Sequence, residues 1–371
     1  MKRFEESPDR DGGKPEAPRS GKKKRVPKAL VIFLLVLAVL VGGGLAYWAI
    51  TTRAPEKATP SAQDLNADHS EAVKAASNRY YTLLIIGKDV EKNNTDTMML
   101  CRYDRAERKL NVCSLPRDAI ANIPADIKKL NNAYASGGCK PEALLDAVQD
   151  IAGFRPDSYI IIDTKLFVQM IDALGGVDFD VPTDMVYEDD VQNLSINIKK
   201  GYQHLDGENA MKVFRFRDTY RMGDIERIGV QHDLIKACAA QWISFGNWTK
   251  LLPAAQLLVK NATTNLSYGN MQWYAKEFMQ MRADDIAFST MPVTGCKIRG
   301  YWYASIVVDD WLKLVNDSLN PTGTPVTREN CSILYQLCQE KSSTSITAQN
   351  YAVTNGAPIA GGIESFGINK G

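Results

Sequence analysis

Apolar and polar positions follow two different periods along the middle of the chain, between residues 80 and 319. Runs at 80–87, 97–104 and 109–116 favour β-strands, and the polar turn 105–108 predicts that the last two form a hairpin. Further strands are predicted at 157–163, 177–181 and 285–293, and helices at 140–153, 164–174, 230–244, 251–261, 270–281 and 306–319. This alternation predicts a sheet covered by helices.

The pattern weakens after Asn320. The sequence PTGTP (321–325) indicates a linker, and CSILYQLC (331–338) predicts a short amphipathic helix. The rest is rich in Gly, Ser, Thr and Asn without a sustained period. Residues 321–371 are therefore predicted to form an appendage that is mobile in part and whose role the sequence does not reveal.

The N-terminal part contains a candidate membrane anchor. Residues 29–50 carry no charge and would span about 33 Å as a helix, which matches the hydrocarbon core of a bilayer. A cleaved signal peptide is the alternative, but its apolar region is usually about 7–15 residues long. A basic cluster before the run favours a retained anchor with a cytoplasmic N-terminus; it consists of Lys22, Lys23, Lys24, Arg25 and Lys28. The predicted order is a cytoplasmic basic tail (1–28), a transmembrane helix (29–50) and an extracellular tether (51–78).

Composition excludes some classes of function. The net charge is +1, so no global positive field favours nucleic-acid binding. Three histidines and no CxxC pair argue against a structural zinc site. The seven cysteines all follow the predicted span, where disulfides can form. A hairpin register that sets Cys101 opposite Cys113 would bring the two thiols within reach of a disulfide, and a cross-strand disulfide and two buried thiols are equally compatible with this pattern.

Arginine is concentrated in FRFRDTYRMGDIERIGVQ, residues 214–231. The cluster contains Arg215, Arg217, Arg221 and Arg227. Arg grips phosphate with two parallel hydrogen bonds, so the cluster indicates an anion site, and a solvated surface cluster is the alternative. FRFR alternates as on a strand, with Phe214 and Phe216 towards a core, and Gly223 is the predicted turn into a helix.

Two aspartates flank a single loop. Asp89 follows the strand 80–87, and Asp96 precedes the strand 97–104. Carboxylates placed in this way can share Mg²⁺, which takes one or two carboxylates together with water and phosphate oxygens. The alternative is one capping and one turn aspartate, which are common in loops.

Six motifs occur in a characteristic order. They are IIGKD (85–89), NNTDTMML (93–100), LPRD (115–118), KLNNAYASGG (129–138), DALGGVDFDVP (172–182) and the arginine-rich stretch 214–231. Together they resemble the LytR-CpsA-Psr family of cell-wall polymer transferases, from about Leu83 to Gln231 and more weakly to Asn320. The resemblance implies an α/β catalytic domain over 79–320, with three α-β-α layers around a mixed central sheet.

The resemblance also assigns roles to the charged side chains. It implies that Asp89 and Asp96 hold Mg²⁺ on a pyrophosphate, and that Arg117, Arg215, Arg217 and Arg227 neutralise phosphate charge. Asp224 would orient Arg227 or Arg221, while Asn131, Arg221 and Gln231 would contact substrate, and Asp118 would pin the loop. Two departures from the family pattern, Asn94 and Val230, remove phosphate contacts that Lys88 or Arg102 would partly replace.

The implied substrate is a glycopolymer on an undecaprenyl-pyrophosphate carrier, transferred to a sugar hydroxyl of peptidoglycan at the outer face of the cell membrane. The lipid tail would enter an apolar groove, with helices 140–153, 164–174 and 230–244 as candidate walls. A polyprenyl-pyrophosphatase and a non-catalytic binder or scaffold for lipid-linked polymer remain alternatives. The carboxylate pair favours an enzyme, because a binder needs the arginines and not the metal ligands.

Overall fold

The computed structural model describes seven stretches of the chain: 52–58, 78–88, 95–189, 194–216, 224–246, 248–336 and 351–362. The predicted tail (1–28) and anchor (29–50) lie outside these stretches. No helix within them is both long enough and apolar enough to span a bilayer.

A six-stranded mixed sheet forms the centre of the fold, as predicted. Its strands are β1 (Tyr80–Lys88), β2 (Thr95–Asp104), β3 (Lys109–Ser114), β4 (Ser158–Asp163), β9 (Thr263–Thr264) and β10 (Ile286–Thr290). Their order is β10-β3-β2-β1-β4-β9. The pairs β10/β3 and β1/β4 are parallel, whereas β2 runs antiparallel to both β1 and β3. The strands β1, β3, β4 and β10 therefore all end at one side of the sheet, the carboxyl edge.

Helices surround the sheet and its satellite hairpins. The helices are α1 (Asn132–Ser136), α2 (Pro141–Ala152), α3 (Thr164–Ala173), α4 (Gly207–Arg215), α5 (Asp224–Ser244), α6 (Leu252–Asn261), α7 (Tyr268–Phe278) and α8 (Val308–Leu314), which a π-helical turn extends over Val315–Leu319. The remaining strands are β5 (Val177–Val181), β6 (Met185–Asp189), β7 (Leu194–Ile198), β8 (Gly201–Leu205), β11 (Val293–Ile298), β12 (Tyr301–Ile306), β13 (Leu334–Gln336) and β14 (Tyr351–Val353). They pair as the antiparallel hairpins β5/β8, β6/β7, β11/β12 and β13/β14.

One face of the sheet, the α2 face, is completely buried. Leu84 and Ile86 of the central strand β1 are 0% exposed there, packed with Leu144 and Val148 of α2. Trp311 of α8 completes this layer and donates a hydrogen bond from Nε1 to the carbonyl of Ile151, at 2.6 Å. The predicted helix 140–153 therefore covers this face and cannot line a groove on the other.

The opposite face, the α5 face, is less completely covered. Leu83 and Ile85 alternate with the buried residues of β1 and remain half-buried, although β1 lies in the middle of the sheet. They pack in the cluster formed with α5 and α7, which includes Ala239 and Trp273. Helix–sheet–helix layering thus gives the predicted three layers, with incomplete packing on one side.

The FRFR segment is not a strand. Asp206 caps α4 by accepting a hydrogen bond from the backbone N–H of Asn209 (2.8 Å), and the helix continues through Arg215. Phe214 packs on Phe167, and Phe216 leaves the helix in an extended conformation and is buried. Both phenylalanines reach the core as predicted, but a helix end provides the geometry. Arg217 and Gly223 lie outside the described stretches.

The hairpin register rules out a Cys101–Cys113 disulfide. The four-residue turn pairs Asp104 with Lys109, so that Cys101 faces Val112, and Cys113 faces Leu100. Adjacent positions on a strand point to opposite faces, and the two thiols accordingly belong to different core clusters. Both are free, and burial raises the pKa of each to about 12.

Both ends of the described chain are packed more tightly than predicted. Residues 52–58 dock at the amino edge of the sheet: Asp157 accepts hydrogen bonds from the Ala58 backbone (2.9 Å) and from Lys57 (3.2 Å). Beyond Asn320, Val326 and Ile333 are buried in the α2-face core. The helix predicted at 331–338 is wrong over 334–336, because these residues pair with β14 as a strand.

Candidate functional site

The carboxyl edge of the sheet gathers the charged residues of three motifs. Lys88 ends β1, and its backbone pairs with Thr95 at the start of β2. Ser114 ends β3, and Arg117 follows three residues later. Parallel strands of one sheet end on the same side, so these motifs lie close together although they are separated in the sequence.

An ion pair links two of these motifs. Arg117 donates a hydrogen bond from Nη1 to Oδ1 of Asp96 at 2.7 Å. The two side chains remain 26% and 46% exposed, so the pair is accessible from solvent. Asp118 accepts from Nζ of Lys129 at 2.8 Å, and its other carboxylate oxygen lies 3.9 Å from Nε of Arg117. Asp118 therefore ties the Arg117 loop to Lys129.

The neighbouring segment closes this loop. The backbone N–H of Asn131 donates to the carbonyl of Arg117 at 3.0 Å, and the Asn131 carbonyl accepts from Oγ1 of Thr95 at 3.4 Å. Nζ of Lys88 lies 5.6 Å from the ring centroid of Tyr134, in cation–π range. Asn131 thus holds Arg117 and Thr95 through its backbone, and its amide side chain is half-buried.

Helix α5 approaches the same edge from the α5 face. Nε2 of His232 lies 2.7 Å from Oγ of Ser114, the last residue of β3. Burial lowers the pKa of His232, so the imidazole is neutral at pH 7. The helix then runs back over the sheet, where Ala239 joins the core and Gln241 donates a hydrogen bond from Nε2 to the Gly176 carbonyl at 3.2 Å, beyond the far end of α3. Its N-terminus, the positive end of its dipole, is therefore at the carboxyl edge.

The arginine-rich motif is distributed over two helices. Arg215 is half-buried in the last turn of α4, and Arg227, near the start of α5, is buried. Gln231 donates from Nε2 to the Phe214 carbonyl at 3.0 Å, which ties α5 to the end of α4. This contact gives Gln231 a packing role, and its predicted contact with substrate stays a prediction.

Several predicted site residues lie outside the described structure. These are Asp89, Arg217 and Arg221, together with the side chain of Asp224, whose backbone begins α5. The described residues bring Asp96, Arg117 and Asn131 into contact. They also reveal the Ser114–His232 contact, which sequence patterns do not predict because it joins a strand end to a helix 118 residues later.

The donor set at this edge fits a hard divalent cation. Asp96 offers a solvent-accessible carboxylate at the start of β2, and Asp89 directly follows Lys88 in sequence. Magnesium usually takes one or two protein carboxylates and fills its remaining positions with water and phosphate oxygens. Arg117 beside Asp96 would then contact an anion bound to the same ion.

The three-layer fold and the basic, carboxylate-containing edge define an α/β protein with a site suited to phosphate groups. The model of the LytR_cpsA_psr family matches residues 47–318. The chain therefore belongs to the LytR-CpsA-Psr family, which the ordered motifs predicted.

Named relatives are similar over different shares of their length. The chain is 28% identical over 319 residues to the polyisoprenyl-teichoic acid–peptidoglycan teichoic acid transferase TagU of Oceanobacillus iheyensis, covering 80% of this chain and 94% of TagU. It is 26% identical over 255 residues to the corresponding transferase TagV of Bacillus subtilis, covering 66% and 65%. An uncharacterized protein of Staphylococcus aureus is 30% identical over 234 residues, and the match spans only 56% of its length.

A solved structure supports the fold. The crystal structure of TagV from B. subtilis superposes with a TM-score of 0.56 and 22% identity, over 64% of this chain and 95% of that one. At this identity the likeness establishes the arrangement of the α-β-α layers alone.

Proposed function

We propose that this chain is a membrane-anchored, Mg²⁺-dependent phosphotransferase. It moves an anionic glycopolymer from an undecaprenyl-pyrophosphate carrier to a sugar hydroxyl of peptidoglycan. The family and the transferase names of TagU and TagV support this class of reaction. The observation that carries the proposal is the accessible Asp96–Arg117 pair, which lies at the end of a sheet whose central strand leaves apolar side chains incompletely covered.

In the proposed reaction, a sugar hydroxyl of the acceptor attacks the phosphorus that bears the polymer. A new P–O bond forms, the P–O bond to the prenyl phosphate breaks, and the hydroxyl proton leaves to solvent or a base. Negative charge on the transferred and leaving phosphates must be neutralised during this step. Arg117, oriented by Asp96, supplies one guanidinium, and the proposed others come from the arginine-rich stretch: Arg215, Arg217, Arg221 and Arg227.

Asp96 and Asp89 are the proposed ligands of Mg²⁺, which when bound would neutralise charge on the pyrophosphate. Asp224, the first residue of α5, keeps its proposed role of orienting a neighbouring arginine. Asn131 is the proposed neutral donor to substrate, because its backbone already fixes it beside Arg117.

The α5 face is the proposed route of the prenyl tail. Leu83 and Ile85 of β1 point to this face and remain half-buried, whereas Leu84 and Ile86 on the α2 face are 0% exposed. An apolar chain between the sheet and helices α5 and α7 would bury the open side chains, at about 25 cal/mol per Å² of apolar surface. The predicted anchor, residues 29–50, would keep this opening at the outer membrane surface.

The test is transfer of polymer from its prenyl carrier to short peptidoglycan acceptors, with and without chelator. Asp96→Ala should lower the rate by about 100-fold or more, because metal-ion charge stabilisation is worth several kcal/mol. Glu107→Ala is the control, since Glu107 is exposed and pairs with Lys109 in the turn between β2 and β3, at the opposite edge of the sheet. Transfer that resists both chelator and Asp96→Ala would refute the proposal and favour a binder, and release of polymer to water alone would indicate a pyrophosphatase.

A further inference from the structure

The hairpin β11/β12 presents an exposed aromatic side chain on a rigid support. Cys296, Ile298 and Tyr303 on its inner face are buried in one apolar cluster. On its outer face Trp302 is 64% exposed and pairs across the strands with Lys297. Nζ of Lys297 lies 5.8 Å from the Trp302 ring centroid. An exposed aromatic ring beside a cation, held on a well-packed hairpin, offers a surface on which a ligand can stack.

The surroundings of the ring leave room for a flat ligand. The next outward-facing pair along the hairpin is Gly295 and Ala304. A Cβ built on Gly295 would meet no atom within 4 Å, so the space beside Trp302 is open. We call Trp302, Lys297 and this open strip the aromatic platform. It offers one stacking surface and one cation, and it is far smaller than the roughly 800 Å² per partner of a stable protein interface.

Backbone hydrogen bonds place the platform next to the Arg117 loop. Ala304 donates to the carbonyl of Asp118 and accepts from the backbone N–H of Ile120, both at 2.9 Å, in a parallel bridge with Ala119. Trp302 lies two residues before Ala304, and Arg117 lies two residues before Ala119. Lys129 makes a second connection, because its Nζ holds Asp118 at 2.8 Å and lies 5.2 Å from the ring centroid of Tyr303, next to Trp302 in the chain. The platform and the Arg117 loop are therefore neighbours.

The platform approaches Arg117 from the side of the sheet opposite the proposed lipid route. Ala119 of the loop, Ile306 at the end of β12 and Val308 at the start of α8 pack into the α2-face core. Leu83 and Ile85, which would contact the prenyl tail, face α5 instead. A donor held on the α5 face and a second substrate on the platform would therefore meet at Arg117. Because the donor would lie on the α5 face, the ligand of the platform would be the second substrate, the acceptor glycan.

We propose that the aromatic platform binds a pyranose ring of the acceptor glycan, with a negative charge of the acceptor near Lys297. The axial C–H groups of a pyranose form an apolar face that stacks on an aromatic ring, while its hydroxyl groups stay in water. The net charge of +1 gives no field for a nucleic acid, the other common partner of exposed aromatic rings. The inference rests on the proposed transferase function and assigns its acceptor subsite.

Steady-state transfer by the full-length protein, with donor and acceptor varied separately, tests this subsite. Trp302→Ala should raise KM for peptidoglycan strands by about tenfold, as expected for loss of one aromatic contact, and leave KM for the prenyl-linked donor unchanged. Trp302→Phe should restore most of the affinity, and Lys297→Gln should weaken binding of charged strands in particular. Tyr202→Ala is the control, because Tyr202 is 76% exposed on β8 in another hairpin.

Direct binding separates failure of this subsite from failure of the transferase function. Soluble glycan strands should bind the full-length protein and Tyr202→Ala equally, and Trp302→Ala about tenfold more weakly, even if no transfer is detected. Equal binding by Trp302→Ala, an effect on donor KM alone, or preferential binding of single-stranded oligonucleotides would overturn the inference. Unchanged thermal midpoints of the variants would exclude misfolding as the cause.

Discussion

Arg117 is the residue on which the candidate site converges. Its backbone carbonyl accepts from Asn131, its guanidinium donates to Asp96, and its neighbour Asp118 is held by Lys129. These contacts come from two other segments, the start of β2 and residues 129–131, so the direction of the side chain is determined by the fold. A preorganised guanidinium loses little conformational freedom when it binds phosphate.

Replacing Arg117 tests whether this orientation serves transfer. Arg117→Gln removes a charge-assisted contact worth roughly 1.5–3 kcal/mol, which corresponds to about a 10- to 150-fold loss in kcat/KM. Stability should change little, because an ion pair this exposed contributes about 0–1 kcal/mol. Arg155→Gln is the control, since Arg155 is similarly exposed, at 28%, and pairs with Asp146 near the amino edge. A normal kcat/KM for Arg117→Gln would remove this residue from the site.

At the scale of residues, the ends of strands explain why Asp96 and Arg117 meet. The contact of Asp96 with Arg117 follows from two motifs that flank antiparallel strands β2 and β3, and both were assigned from the apolar pattern. The Cys101–Cys113 pairing failed because a shift of one position in register moves a side chain to the other face of the sheet. The contact of the Gln231 side chain could not be predicted from the sequence, because its partner is a backbone carbonyl 17 residues earlier.

At the scale of elements, local periodicity identified long helices and buried strands but not short or non-local pieces. FRFR was predicted as a strand because its residues alternate. The prediction was wrong because four alternating residues do not outweigh the capping signal of Asp206, which begins a helix upstream. The β11/β12 hairpin was missed, although Arg299–Gly300 is a two-residue turn with both φ angles positive, at 48° and 89°. Strand β13 depends on a partner at 351–353, which no local pattern can reveal.

The packing of α2 under the C-terminal segment predicts a pH-dependent stability. Asp150 on α2 is partly buried, and its carbonyl accepts from the backbone N–H of Ser332 at 2.7 Å. Burial, and secondarily Asp146, raise the pKa of Asp150 from 3.8 to about 6. Because the carboxyl pKa is higher in the folded state than in the unfolded state, ionisation of Asp150 destabilises the folded state. The free energy of unfolding therefore falls as pH rises from 3.8 to about 6.

Asp150→Asn should therefore increase the free energy of unfolding at pH 7, by at most about 3 kcal/mol at 1.36 kcal/mol per pKa unit. The gain should shrink below pH 6 and vanish below pH 3.8, where both states of the parent are protonated. Urea unfolding at several pH values measures it, with Glu142→Gln, exposed on the same helix, as control. A pH-independent difference would contradict the assigned burial.

At the scale of the whole molecule, opposite edges of the sheet are used for different purposes. Residues 52–58 dock beside Asp157 at the amino edge, where Asn270 also donates to the carbonyls of Arg53 and Ala54. The charged motifs lie at the carboxyl edge.

The membrane anchor itself is a prediction from the sequence, and topology mapping tests it. An uncharged run of 22 residues after a cluster of five basic residues should insert with its N-terminus in the cytoplasm, because Lys and Arg flanking a span remain on the cytoplasmic side. In intact spheroplasts, added protease should spare a tag fused at Met1 and digest a tag fused after Gly371. Detergent should make both tags accessible.

Two outcomes would separate the alternatives to this topology. A cleaved signal peptide would release the mature chain without the Met1 tag, and mass spectrometry of the C-terminally tagged protein would find a new N-terminus after the apolar run. Replacement of the five basic residues by Ser should reduce the fraction with a cytoplasmic N-terminus, since the charge bias sets the orientation. Protection of the C-terminal tag in the parent protein would place the domain inside the cell and exclude transfer to peptidoglycan.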